Sequence, residues 1–162
     1  VDVTRPNKAG IFTGGGEGKW VWRGNELFDA NSVLIAHVRS DVLIMGRKRL
    51  LVEYTPGPRH FTVRATADDG TLYTITQQGF TVGQLAGCCD DRPYSLNRVR
   101  WWSKEREILD AAGDVVARTQ PLISGMVEVI DGPAIDDVPT LDLVFLTWGL
   151  VLVDSPVRRT LI

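Results

Sequence analysis

The sequence predicts a mainly β fold: a closed antiparallel barrel wrapped around one hydrophobic helix near the C-terminal end. Two observations carry that expectation. Short stretches in which apolar and polar residues alternate are separated at close intervals by turn signals, the pattern of an all-β sandwich or barrel. Against them stands one uncharged run, Leu143 to Val153, with no polar face. A helix apolar on all sides has to be surrounded by protein, and a sheet closed on itself is the economical way to surround it. The chain is sized for this, since 162 residues, 44% hydrophobic and 23% charged, suit one globular domain with one core.

Taken in order, the single domain (1–162) opens with a lead-in, residues 1–18, expected to be flexible. It has neither the positive start nor the apolar run of a signal peptide. Its glycine cluster, Thr13-Gly14-Gly15-Gly16-Glu17-Gly18-Lys19-Trp20, fails as a phosphate loop on spacing. A Walker loop needs Gly five residues before the Gly-Lys pair and Ser or Thr after it, where this chain has Thr13 and Trp20. No helical pattern follows it to aim an N-terminus at a phosphate. The strands come next. Leu34-Ile35-Ala36-His37-Val38-Arg39 and Phe61-Thr62-Val63-Arg64-Ala65-Thr66 alternate as half-buried strands do. Gly24-Asn25, Pro56-Gly57-Pro58, Asp69-Gly70, Ala112-Gly113 and Asp131-Gly132-Pro133 mark turns.

Part of this series repeats. Residues 19–36 align with 100–117, sharing Trp20 with Trp101, Glu26 with Glu107, Asp29 with Asp110 and Ala30 with Ala111. The repeated unit is a hairpin: a strand end, an Asp whose carboxylate takes turn amides, a residue tolerating positive φ, and a second strand. A looser third copy runs from Arg64 to Tyr73. Three hairpins of one design predict a sheet built by meandering.

The last element is the helix, expected over about 140–154. Pro139-Thr140 reads as its start, with Thr140 as N-cap, and Ser155-Pro156 as its stop. The run Leu143 to Val153 would measure about 17 Å at roughly 1.5 Å per residue, against ~30 Å for a bilayer core, so it fills a core and does not span. The competing reading is a buried strand, favoured by Val144, Val151 and Val153; Gly149 counts against both.

The repeated Asp-x-x-Gly-type hairpins, the segment Cys88-Cys89-Asp90-Asp91-Arg92-Pro93-Tyr94-Ser95-Leu96-Asn97-Arg98 leading into another of them, and the hydrophobic helix close to the C-terminus resemble the tubby C-terminal-like fold. LURP-one-related and phospholipid-scramblase-like proteins share that fold. The resemblance covers about residues 18–158. It implies a barrel of about 12 antiparallel strands with the helix threaded through its middle, and, for tubby proteins, phosphoinositide binding on the barrel surface. No lipid-contacting residue is carried over to this chain.

Charge narrows the function classes. A net charge of −2 and a pI near 5.7 offer no broad pull toward nucleic acid. Anion binding would rest on local clusters, of which there are two: Arg47-Lys48-Arg49 at a hairpin tip between apolar strands, and Arg98 with Arg100 beside Trp101 and Trp102. The two tryptophans themselves read as core or hairpin supports. Cys88 and Cys89 are adjacent, provide no long-range staple, and read as structural thiols in a reducing cytosol. A nucleophilic cysteine would need a base such as His60 beside it. Asp90-Asp91 and Asp136-Asp137 are nominal acid-base pairs that read as solvated loops. His37 and His60 are too isolated to suggest a metal site. The favoured reading is a non-enzymatic binding or scaffold domain, cytoplasmic or membrane-peripheral, without cofactor, for an anionic phospholipid headgroup or a protein partner. The alternative is a small cytosolic hydrolase-like enzyme using Cys88 or Cys89.

Overall fold

The computed structural model describes residues 19–57 and 59–155; the lead-in and most of its glycine cluster lie outside the described residues. Twelve strands follow one another: β1 (Lys19–Arg23), β2 (Glu26–Phe28), β3 (Leu34–Arg39), β4 (Val42–Met45), β5 (Lys48–Thr55), β6 (Thr62–Ala67), β7 (Leu72–Gln77), β8 (Gln84–Cys89), β9 (Arg92–Arg98), β10 (Arg106–Leu109), β11 (Val115–Pro121) and β12 (Val127–Asp131). Each pairs antiparallel with the next, and β12 returns to β1 through Trp20↔Val129 and Trp22↔Val127, closing the barrel. Closure removes both sheet edges. After β12 come a 3-10 turn, Ile135–Asp137, and the helix α1, Thr140–Asp154. Among the described residues no helix is long and apolar enough to cross a membrane.

Turn chemistry explains why the chain meanders. Four connections share one five-residue design, Asp29–Val33, Ala67–Thr71, Asp110–Asp114 and Leu122–Met126. In each, the first N–H donates to the fifth carbonyl and the fourth N–H to the first carbonyl. The fourth residue has positive φ: Ser32 at 62°, Gly70 at 88°, Gly113 at 85° and Gly125 at 94°. This is the hairpin in which a left-handed residue follows a tight turn. In the first and third copies the Asp29 and Asp110 Oδ1 atoms accept from the amides two and four residues on. The sequence repeat is therefore a repeat of turn geometry. Ser40-Asp41 and Asp90-Asp91 make two-residue turns with positive φ at both positions, the shape that matches strand twist.

The interior is filled by α1. Every residue from Asp142 to Asp154 is buried, so the run is a helix, and the strand alternative is set aside. Pro139, not Thr140, is the N-cap, and no side chain caps it. Gly149 has its reason here: a Cβ at that position would overlap Ile75 Cδ1 on β7. Gly87 on β8 likewise leaves room for Leu146, whose Cδ2 would stand 2.7 Å from an added Cβ. Trp22 packs tilted against Trp148, ring centroids 5.1 Å apart, and donates its indole N–H to Thr147 Oγ1 at 2.8 Å, while that hydroxyl donates to the Leu143 carbonyl.

Because neighbouring strands alternate in direction, the connections alternate between two rims. The N-rim, where α1 begins, carries the turns after β2, β4, β6, β8 and β10 and the passage from β12 into α1. All but the Gly46-Arg47 turn contain aspartate: Asp29, the Asp68-Asp69 pair, Asp90-Asp91, Asp110 and Asp114, and Asp136-Asp137. The C-rim, where α1 ends, carries the connections after β1, β3, β5, β7, β9 and β11.

Candidate functional site

Arg47, Lys48 and Arg49 come from the end of the β4–β5 hairpin at the N-rim, and all three are exposed. They line a cavity of about 200 Å³ together with Asp68, Asp69 and Thr71 from the β6–β7 turn and Leu141 from the first turn of α1. Among the described residues no ion pair joins any of the three cations to a carboxylate. Asp69 Oδ1 accepts the Thr71 amide at 3.0 Å, and hydrogen bonds from Thr71, aided by the Lys48 charge, hold the Asp69 carboxyl below its usual range. The cavity thus has a cationic edge facing an edge of ionised carboxylate. Its volume is below the ~300 Å³ at which drug-sized pockets begin, which suits a compact polar group.

Arg98 and Arg100 lie elsewhere, at the C-rim, so the two basic clusters do not form one site. Arg98 Nη2 donates to Asp154 Oδ1 at 3.2 Å, and Arg100 stands 4.0 Å from Glu105. Asp154, buried at the last turn of α1, also takes Arg106 Nε at 2.6 Å. The fully buried Arg106 spends its remaining donors on the Val82, Gly83 and Leu96 carbonyls. At the other end of α1, buried Asp142 receives Arg92 in a fork at 2.7 and 2.9 Å and the Tyr94 hydroxyl at 2.5 Å. These two clamps fix the helix axially. The sequence marks neither clamp, because no local pattern pairs Asp142 with Arg92 or Asp154 with Arg106 across some fifty residues.

The thiols sit at the N-rim end of β8, where Cys89 pairs with Tyr73 and Arg92 across the sheet. Cys89 is buried, and burial, with the Asp142 charge adding, pushes its thiol far up, which opposes the thiolate a nucleophile needs. His60 belongs to the β5–β6 connection at the opposite rim, and His37 lies on β3 opposite Ile44. Asp90 and Asp91 form an exposed hairpin turn, and Asp136 and Asp137 the exposed 3-10 turn. Trp101 and Trp102 correct an expectation: they pack edge to face on each other at 5.6 Å and stand exposed on the β9–β10 loop, outside the core. No protein family, curated protein or solved structure matches this chain.

Proposed function

We propose that the chain is a non-enzymatic binding domain whose N-rim cavity takes a compact anionic group, a phosphate or carboxylate, on Arg47, Lys48 and Arg49. One observation carries the reading: three exposed cations, without ion-pair partners among the described residues, share the edge of a single small cavity. Charge-assisted hydrogen bonds from Arg and Lys to such oxygens are among the stronger ones a surface can make. Asp68 and Asp69 on the facing edge favour a ligand that carries a cationic or hydroxyl-bearing portion beside its anion. The barrel threaded by a helix also supports kinship with the tubby C-terminal-like fold of LURP-one-related and scramblase-like proteins, as a proposal of the same standing.

The test is a thermal shift and calorimetric titration with inorganic phosphate and glycerol 3-phosphate, beside co-sedimentation with vesicles containing phosphatidic acid. A ligand that prefers the folded state raises the melting temperature. Binding is expected to weaken with salt and to fall about tenfold or more when Arg47, Lys48 and Arg49 are all replaced by alanine. Response to the soluble phosphates identifies a soluble ligand; vesicle binding that the triple substitution abolishes, without response to the soluble phosphates, identifies a headgroup. No shift at millimolar concentrations, or a shift that survives the triple substitution, removes the proposal.

A further inference from the structure

Among the described residues, the C-rim carries the largest apolar side chains left outside the core. Phe80 on the β7–β8 loop is 97% exposed, Trp101 and Trp102 on the β9–β10 loop are 86% and 68% exposed, and Ile123 on the β11–β12 loop is fully exposed. Single exposed apolar residues need no explanation, but a contiguous set marks an interaction surface. The topology brings these four to one rim. Their loops are successive connections on one rim, each two strands from the next, or about 10 Å at ~4.8 Å per strand.

The loops are also fixed to one another. Arg106 donates to the Val82 and Gly83 carbonyls at the base of the β7–β8 loop, and the Arg98 amide donates to Gly83 as well. Lys104 Nζ donates to the Asp154 carbonyl, and Ser155 Oγ to the Gly125 carbonyl of the β11–β12 loop. All three loops are thereby fastened at their bases around the C-terminus of α1. Fastened loop bases lower the part of the ordering cost of binding that falls on the loop backbone.

Shape and charge identify the occupant. The residues stand largely exposed on three separate loops, which suits a fluid phase that closes around each of them. The β7–β8 and β11–β12 loops carry no charge; the β9–β10 loop carries Lys104 and the paired Arg100 and Glu105, with Arg59 on the adjoining β5–β6 connection and Asp41 on the β3–β4 turn, so that cations outnumber carboxylates on these connections. The opposite rim carries nine aspartates against the three cations Arg47, Lys48 and Arg49. An anionic surface therefore attracts the C-rim and repels the N-rim. Tryptophan prefers the headgroup level of a bilayer, and loop backbone does not enter the hydrocarbon exposed, so insertion stops at interfacial depth.

We propose that the C-rim is a membrane-docking surface, with Phe80, Trp101, Trp102 and Ile123 inserted into the interfacial zone of an anionic bilayer and the Arg47 cavity turned toward water. This does not rest on the cavity reading: it is compatible with a soluble anion in that cavity and incompatible with a bilayer headgroup there, and the two fail separately because substitution of Arg47, Lys48 and Arg49 reports on one and the rim substitutions on the other. The experiment uses the full chain with vesicles of phosphatidylcholine alone and with phosphatidylserine added, read by co-sedimentation and tryptophan emission. Trp20, Trp22 and Trp148 are buried, so a blue shift on binding reports Trp101 and Trp102. Binding is expected with phosphatidylserine and to be weaker without it. Trp101→Ser with Trp102→Ser, and separately Phe80→Ser with Ile123→Ser, should each weaken it, and all four together by about a hundredfold or more. Melting temperature should hardly move, since exposed side chains contribute little to folding. The Arg47→Ala, Lys48→Ala, Arg49→Ala variant should bind vesicles as the parent does. The proposal is overturned if that variant, and not the rim variants, loses binding. It is equally overturned if the parent binds no vesicles, whether it stays monomeric in the ultracentrifuge or forms a dimer that the rim substitutions dissolve.

Discussion

Gly149 shows how closely a single position is governed by the barrel wall. In an isolated helix, replacing glycine by alanine stabilises by about 1 kcal/mol. Here the new methyl meets Ile75 Cδ1, and both residues lie in a close-packed interior. Overpacking of this kind costs about 1–3 kcal/mol, so Gly149→Ala should be neutral to destabilising in denaturant unfolding, against its helix propensity. Ile75→Val deletes the carbon that is struck and alone should cost about 0.5–1.5 kcal/mol. The double variant should then be more stable than the sum of the two effects, since contacting residues couple. Strict additivity would show that the helix and wall shift apart freely. From sequence, Gly149 counted against both helix and strand, because the reason for it lies on β7, far along the chain. Trp101 and Trp102 misled for a related cause. Their hydrophobicity argued for burial, and only their place at a loop tip decides otherwise.

At the scale of elements, the hairpins were legible and the clamps were not. The alignment of 19–36 with 100–117 located Asp29 and Asp110 as turn acceptors because Asx-type turns are built from residues two to four apart. Ser40-Asp41 went unnoticed and Asp90-Asp91 was weighed as an acid-base pair, since left-handed Ser and Asp lack the signature that glycine gives. The Arg92–Asp142–Tyr94 clamp on α1 spans residues about fifty apart and leaves no local trace. Its chemistry is nonetheless testable. Burial raises the Tyr94 and Tyr73 hydroxyls and the Cys89 thiol above their ordinary values, with Asp142 contributing to each. A group raised in the folded state keeps its proton while the unfolded chain loses it, so stability falls as pH rises past the unfolded value. The contribution from Cys89 is full below about pH 8.5 and that from the tyrosines below about pH 10. Melting temperature should therefore decline from about pH 8.5 upward and more steeply beyond about pH 10. Cys89→Ala should move the onset toward the tyrosine range, and a profile unchanged by that substitution would remove the thiol from the account.

For the whole molecule, closure was readable in one feature, the all-round apolarity of α1, since a helix without a wet face requires a wall on every side. The β1–β12 ladder that completes the wall joins residues more than a hundred apart, and no residue pattern announces it. The polarity of the two rims was hidden for a sharper reason. Which loops share a rim depends on the parity of the strand count, and one strand missed or added would move every later loop to the other end. The same closure makes the helix indispensable. Leu143, Val144, Phe145, Leu146 and Leu150 are completely buried, and the core cluster takes in strands from β1 to β12 together with them. Ending the chain after Val138 would leave those inward side chains facing a void that no rotamer change could fill. The turns would survive, because their hydrogen bonds are local to each hairpin. The expected product keeps much of its far-ultraviolet dichroism, binds a hydrophobic dye and loses its sharp melt, the signature of a compact state without fixed packing. A shortened chain that still melts in one cooperative step would mean that the barrel walls pack on each other without the helix, and the central-post account of this fold would have to be given up.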